Sequence, residues 1–162
     1  IFCKSWPKAY EMANKIFFNV DKQKNFIEKP LLAGAKNILI DFNNAGIKCA
    51  IVSNDTKTGI KDFLLTNNLE NKFVQYWSCE DHPSKPNPDA IKNLCKIIQL
   101  KPSECLLIGD SDSDMQMAQK AGIGLAMGYV SGWDIKPQLS YQNKLLFNWQ
   151  ELSCHYKTKI NF

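Results

Sequence analysis

What this chain of 162 residues lacks narrows its function before any motif is considered. No apolar run approaches the roughly 20 residues that a membrane-spanning helix needs, so no membrane role is expected. The opening Ile1-Phe2-Cys3-Lys4-Ser5-Trp6-Pro7 has no apolar core of the kind a secretory signal carries. Basic residues do not run together. The net charge of +4 is spread along the chain and argues against a nucleic-acid partner. The six cysteines, Cys3, Cys49, Cys79, Cys95, Cys105 and Cys154, show no C-x-x-C or zinc-type spacing. They read as small buried hydrophobes in a reducing, cytoplasmic setting, with Cys49 and Cys105 inside strands and Cys95 on an apolar helix face. Internal repeats and low-complexity segments are absent as well.

What is present describes an ordinary globular domain, 44% hydrophobic and 22% charged. Residues 6–19 place Ala9, Met12, Ala13, Ile16 and Phe17 at helical spacing, with Pro7 tolerated in the first turn. From Leu32 onward helices and strands alternate. Ala35, Ile38, Leu39, Phe42 and Ala45 line one helical face, which Gly46 stops, and Ile47 to Val52 follows as a strand. Ile60, Phe63 and Leu64 mark a short helix and Phe73 to Trp77 a second strand. Asn87 and Pro88 open a helix with Ile91, Leu94, Cys95 and Ile98 on its apolar face. Cys105 to Ile108 is a third strand, and a helix carrying Met115, Ala118 and Ala121 ends at Gly122. Leu125 to Met127 makes a fourth strand and Leu145 to Phe147 a weak fifth. This order predicts an α/β fold with a mainly parallel sheet and right-handed crossovers.

Three groups of polar residues fall at strand ends or loops on the edge where open α/β sheets bind ligands. The sharpest is Gly109-Asp110-Ser111-Asp112-Ser113-Asp114. Three carboxylates within five residues repel one another unless a cation or solvent intervenes. Hard Mg²⁺ takes one or two protein carboxylates and completes its shell with water and phosphate oxygens. The plainer account is helix capping, for which Asp and Ser are favoured. Ser53 and Asn54 close the first predicted strand just before a helix, where a hydroxyl, an amide and free N–H groups suit a phosphate oxygen. Taken alone, they are better explained by simple N-capping. Lys85, framed by prolines in Pro83-Ser84-Lys85-Pro86-Asn87-Pro88, is a point charge that could neutralise a phosphate or the carboxylates around a metal, or else a solvated surface lysine.

Taken in order, Ser53-Asn54, Lys85-Pro86-Asn87-Pro88 and the acidic hexapeptide resemble the second, third and fourth motifs of the haloacid dehalogenase (HAD) superfamily, with Ala121-Gly122 closing the helix after the last. The resemblance covers about Leu31 to Leu152 and is strongest to the phosphoglycolate phosphatase-like branch, in which a helical cap follows the first strand. It implies a three-layer, Rossmann-like core over 30–162 and a cap remnant over 1–29. It further implies a Mg²⁺-dependent phosphomonoester hydrolase for a small phosphorylated metabolite. Ser53 and Lys85 would be catalytic, with Ser53, Asn54 and Lys85 binding phosphate and Asp110 and Asp114 holding Mg²⁺.

The family's first motif, an Asp-x-Asp that supplies the nucleophile, has no counterpart here. Phe2-Cys3-Lys4-Ser5 stands in its place without either carboxylate. The expectation is an N-terminally truncated hydrolase, the alternative a non-catalytic HAD-like binding or scaffold domain. The strand bearing the first motif would lie between those ending at Ser53 and Ile108. A gap, a direct pairing of those two strands or a substitute strand is expected there, with self-association through the exposed position.

Overall fold

The computed structural model describes residues 31–131 and 137–152. The helix expected over 6–19 and the cap remnant over 1–29 lie outside the described residues. Helix α1 (Ala35–Asn44) comes first, followed by strand β1 (Ala50–Val52) and helix α2 (Lys57–Thr66). Strand β2 (Gln75–Trp77), helix α3 (Pro88–Ile97), strand β3 (Leu106–Gly109) and helix α4 (Asp112–Ala121) follow, and strands β4 (Leu125–Tyr129) and β5 (Lys144–Leu146) complete the order. All strand pairings are parallel: β1 with β2, β3 with β4, and β4 with β5. They form two sheets among the described residues, ordered β1-β2 and β3-β4-β5. The expected interruption therefore falls between β1 and β3, which are not paired with each other.

Side-chain alternation along the strands builds three layers. On one face Ile51 and Tyr76 join Leu39 of α1 and Ile60 and Leu64 of α2. On the other, Val52, Trp77 and Leu107 meet Ala90, Ile91 and Cys95 of α3 and Met117 and Ala121 of α4. Ile38 of α1 reaches the second sheet, packing with Met127, Tyr129 and Leu146. Helices on both faces thus span the two sheets. β4, flanked on both sides, is buried from Ala126 to Tyr129, whereas β1 is only half-buried and β3 begins at an exposed Leu106. β2 is half-buried like β1, so the whole two-stranded sheet is less covered than β4.

Several boundaries differ from the sequence expectation, for local reasons. Gly46 at φ +73° lets the Ile47 N–H close back onto the Phe42 carbonyl at 2.9 Å, so Ile47 is spent on ending α1 and the strand starts at Ala50. Cys49 therefore precedes β1. Cys105 caps the 3₁₀ turn Pro102–Glu104, its N–H bonding the Pro102 carbonyl at 3.0 Å, and precedes β3 rather than lying within it. The short helix around Ile60 is ten residues long, and β4 runs on through Gly128 to Tyr129. The starts of α3 and α4 and the left-handed stop at Gly122 are as expected.

The bridging core sets a stability test. Met117, 1% exposed, sits in the cluster shared by both sheets, and Leu65 of α2 is 63% exposed. Met117→Ala should cost about 2–5 kcal/mol in urea unfolding, and Leu65→Ala less than about 0.5 kcal/mol. Equal costs would contradict this packing.

Candidate functional site

The β3–α4 turn is built around a folded-back carboxylate. Ser111 is the N-cap of α4 and its hydroxyl accepts from the Asp114 N–H at 3.3 Å. In return, Asp114 Oδ2 accepts from the Ser111 N–H at 3.2 Å and from the Ser111 hydroxyl at 2.6 Å. This reciprocal box satisfies helix-end donors and fixes the Asp114 rotamer. It also explains Gly109. A Cβ there would come within 2.5 Å of Asp114 Cβ, so only glycine lets this carboxylate fold over the strand end.

The other oxygen of Asp114 receives Lys85. The Lys85 ammonium pairs with Oδ1, both side chains being almost removed from water at 15% and 7% exposed. Desolvating two charges is costly, and the geometry and extra hydrogen bonds of Asp114 offset that cost. Lys85 itself is positioned from behind. The Trp77 indole N–H at the end of β2 donates to the Pro83 carbonyl at 2.9 Å, and the Ser53 N–H at the end of β1 donates to the Trp77 carbonyl at 2.9 Å. A continuous path of bonds therefore runs from Ser53 through Trp77 and the proline-framed loop to Lys85 and Asp114.

Each expected site residue can now be placed. Ser53 is half-buried at the carboxyl end of β1, its hydroxyl accepting from the Asp55 N–H at 3.1 Å. The capping explanation for Ser53-Asn54 is displaced by one turn, since Thr56 is the N-cap of α2 and accepts from the Gly59 N–H at 3.0 Å. Asn54 takes no hydrogen bond among the described residues. Asp110 is half-buried, and its carboxylate has neither a hydrogen bond nor an ion pair among the described residues. Asp112 has a structural task. It accepts from the Ser140 N–H at 2.6 Å, from the Ser140 hydroxyl and from Gln116 Nε2 at 2.6 Å, and these bonds hold its carboxyl below the usual carboxylate range. The structure thus joins Lys85 directly to Asp114. Ser53 and Asn54 share no hydrogen bond or ion pair with Lys85 or Asp110.

A second clamp was not foreseen from sequence. Lys57, the first residue of α2, pairs with Asp81 at 2.8 Å, and the same carboxylate accepts from the N–H and hydroxyl of fully buried Ser78 at 2.9 and 2.7 Å. The Cys79 N–H also bonds the Asp55 carbonyl at 3.0 Å. These contacts fasten the loop bearing Ser53 and Asn54 to the segment leading to Lys85. The hydrogen bond from Lys57, followed by those from Ser78, lowers the Asp81 carboxyl to about 2.

Shape alone points elsewhere. A cavity of about 380 Å³ opens between α2 and β2, lined by Leu64, Leu65, Phe73, Val74 and Tyr76 among others. It includes none of the motif residues and offers mainly apolar walls, so the chemistry at the strand ends decides the site. Hard oxygen donors there suit a hard cation: Asp110 is uncommitted and Asp114 Oδ1 retains a lone pair. Among the described residues no group of three His, Cys, Asp or Glu side chains is placed to hold a metal alone. Nor is any described helix long and apolar enough to cross a membrane.

Two measurements probe this arrangement. Lys85→Met should cost about 3–5 kcal/mol because it leaves Asp114 buried without its counter-ion. Adding Asp114→Asn should recover part of that loss in a double-mutant cycle of urea unfolding, and strict additivity would show that the pair is not coupled. The Asp81 clamp makes a pH test. Its folded pKa lies below the unfolded value of about 3.9, so its stabilisation is complete above pH 4 and is lost as pH falls through about 2. The urea midpoint should drop more steeply between pH 4 and 2 in the unaltered protein than in Asp81→Asn, and parallel curves would rule the clamp out.

Comparison with known proteins fits this geometry. The family model for haloacid dehalogenase-like hydrolase matches residues 3–127. Phosphoglycolate phosphatase of Vibrio vulnificus is 31% identical over 124 residues, covering 74% of this chain and 54% of that protein. Phosphoglycolate phosphatase of Photobacterium profundum is 32% identical over 130 residues, covering 78% and 57%. The chain thus spans little more than half the length of these relatives. A crystal structure described as a predicted phosphoglycolate phosphatase from Haemophilus somnus superposes with a TM-score of 0.75 at 22% identity, covering 86% of this chain and 62% of that one. A HAD-superfamily hydrolase from Ehrlichia chaffeensis gives 0.70 at 22% identity, covering 99% and 81%.

Proposed function

Because the chain belongs to the haloacid dehalogenase-like hydrolase family, we propose that it forms the phosphate- and metal-binding part of a Mg²⁺-dependent phosphatase for a small phosphorylated metabolite. The observation that carries this reading is the largely buried Lys85–Asp114 pair on the first turn of α4, the helix that follows the uncommitted Asp110 at the end of β3. The chain contains no arginine, so lysine is its side-chain cation for the charge on a phosphoryl group. Lys85, with two N–H donors beyond its bond to Asp114, supports charge on the transferring phosphoryl group. Ser53 and the backbone N–H of Asn54 hold its oxygens at the end of β1.

Asp110 is the principal ligand for Mg²⁺, and Asp114 contributes through Oδ1 while chiefly orienting Lys85. When bound, the ion neutralises phosphate oxygens and helps orient them for in-line attack. The nucleophile is absent from residues 1–52, which hold no Asp-x-Asp. A carboxylate delivered on a strand in the gap between β1 and β3 would complete the site, because that strand would end between Ser53 and Asp110. The substrate resembles that of the relatives in class, a small phosphomonoester, and the free thiols suit a reducing, cytoplasmic setting.

Calorimetric titration of this chain with Mg²⁺ should show weak binding that Asp110→Asn removes, with no hydrolysis of a generic aryl phosphate. Fusing an Asp-x-Asp strand ahead of residue 1 should create Mg²⁺-dependent turnover, abolished by Asp110→Asn and lowered at least about 100-fold by Lys85→Met. Robust turnover by the 162-residue chain alone, or full activity in the Asp110→Asn fusion, would overturn the proposal.

A further inference from the structure

Two thiols outside the candidate site lie against each other. Cys95, near the end of α3, and Cys105, just before β3, have their Sγ atoms 3.8 Å apart. Ten positions separate them in sequence, and nothing in their spacing signals a pair. Cys95 is buried in the core shared by α3 and α4, while Cys105 is half-buried at its margin with its thiol 3.3 Å from the Lys101 carbonyl. The Cys49 sulfur, by contrast, hydrogen-bonds Asn43 and the Ile47 carbonyl and lies against no second thiol among the described residues.

We propose that Cys95 and Cys105 are a redox-modification site that a low-molecular-weight disulfide such as oxidised glutathione converts into an intramolecular disulfide. The sulfurs must close from 3.8 Å to about 2.05 Å. The connection that must yield is 98–104, whose Gln99, Lys101, Ser103 and Glu104 are exposed. The more accessible Cys105 reacts first. It gives up its proton to solvent, and its thiolate attacks one sulfur of oxidised glutathione and expels a glutathione thiolate. Cys95 then loses its proton to solvent and attacks the Cys105 sulfur, expelling the second glutathione thiolate. Two protein thiols are oxidised, one glutathione disulfide is reduced to two thiols, and the two released protons return to them.

The roles follow from burial. Desolvation, with Cys105 beside it, pushes the Cys95 thiol up to about 12, so Cys95 serves as the resolving group. The bond would join the helix that follows Lys85 to the strand that delivers Asp110, locking the two elements on either side of the candidate site.

The test treats the reduced 162-residue chain with excess oxidised glutathione at mildly alkaline pH, blocks remaining thiols, and maps the cysteines by digestion and mass spectrometry. The expected result is a Cys95–Cys105 cross-linked peptide lighter by two hydrogens, with a higher urea midpoint for the oxidised protein. Cys95→Ala should trap glutathione on Cys105, and Cys105→Ala should leave Cys95 unmodified. Absence of the cross-linked peptide, or an unreactive Cys105 in Cys95→Ala, would overturn the site. An unchanged or lowered urea midpoint would overturn the lock.

Discussion

A lysine and an aspartate, both almost out of water, hold the two motif-bearing loops together. Lys85 arrives from the segment after β2, and Asp114 from the first turn of α4, so their pairing couples elements belonging to different sheets. Each partner depends on its surroundings. Asp114 can accept the ammonium because Ser111 saturates its other oxygen and Gly109 leaves room beneath it. Lys85 can reach it because Trp77 grips the Pro83 carbonyl. A buried ion pair is weak evidence for stability in itself. Here its value is positional: it fixes an ammonium on the first turn of α4, the helix that follows Asp110, whose carboxylate has no partner among the described residues.

The acidic hexapeptide divides its labour. Asp112 ties α4 to Ser140, Asp114 orients Lys85, and Asp110 is left over. The sequence alone presents three carboxylates as equals; the capping explanation holds for Asp114, and the metal explanation is the one proposed for Asp110. Membership in a family of hydrolases agrees with an ammonium, hydrogen-bond donors and one uncommitted carboxylate set at strand ends and the loops that follow them. Such sites act mainly through preorganised charge.

What could be read from sequence was local. Asn87-Pro88 and Ser111 announce helix starts and Gly122 a stop, because the chemistry of a cap resides within a few residues. The Ser111-x-x-Asp114 spacing carried the capping box as well, a signal that favours orientation of Asp114 over exposure to solvent. Strand limits were harder. Whether Ile47 extends a ladder or finishes a helix turns on one left-handed glycine, and hydrophobicity cannot distinguish the two. The contacts that could not be read join distant positions: Ser140 with Asp112, Asp81 with Lys57, Cys105 with Cys95. Each is fixed by the crossover geometry of the fold and leaves no periodic trace in the chain.

The break between β1 and β3 has a further consequence, for backbone solvent exchange. The backbone groups of β4 are bonded on both flanks and its residues from Ala126 to Tyr129 are buried, so its amides open only with most of the molecule. β1 and β3 are each laddered on one side among the described residues, and cohesion across the break rests there on side-chain packing and the Lys85–Asp114 pair and not on a strand ladder. Among the described residues, amide deuteration would therefore advance from the strands beside the break toward β4, reversing the usual order in which a parallel sheet protects its centre and frays at its rims.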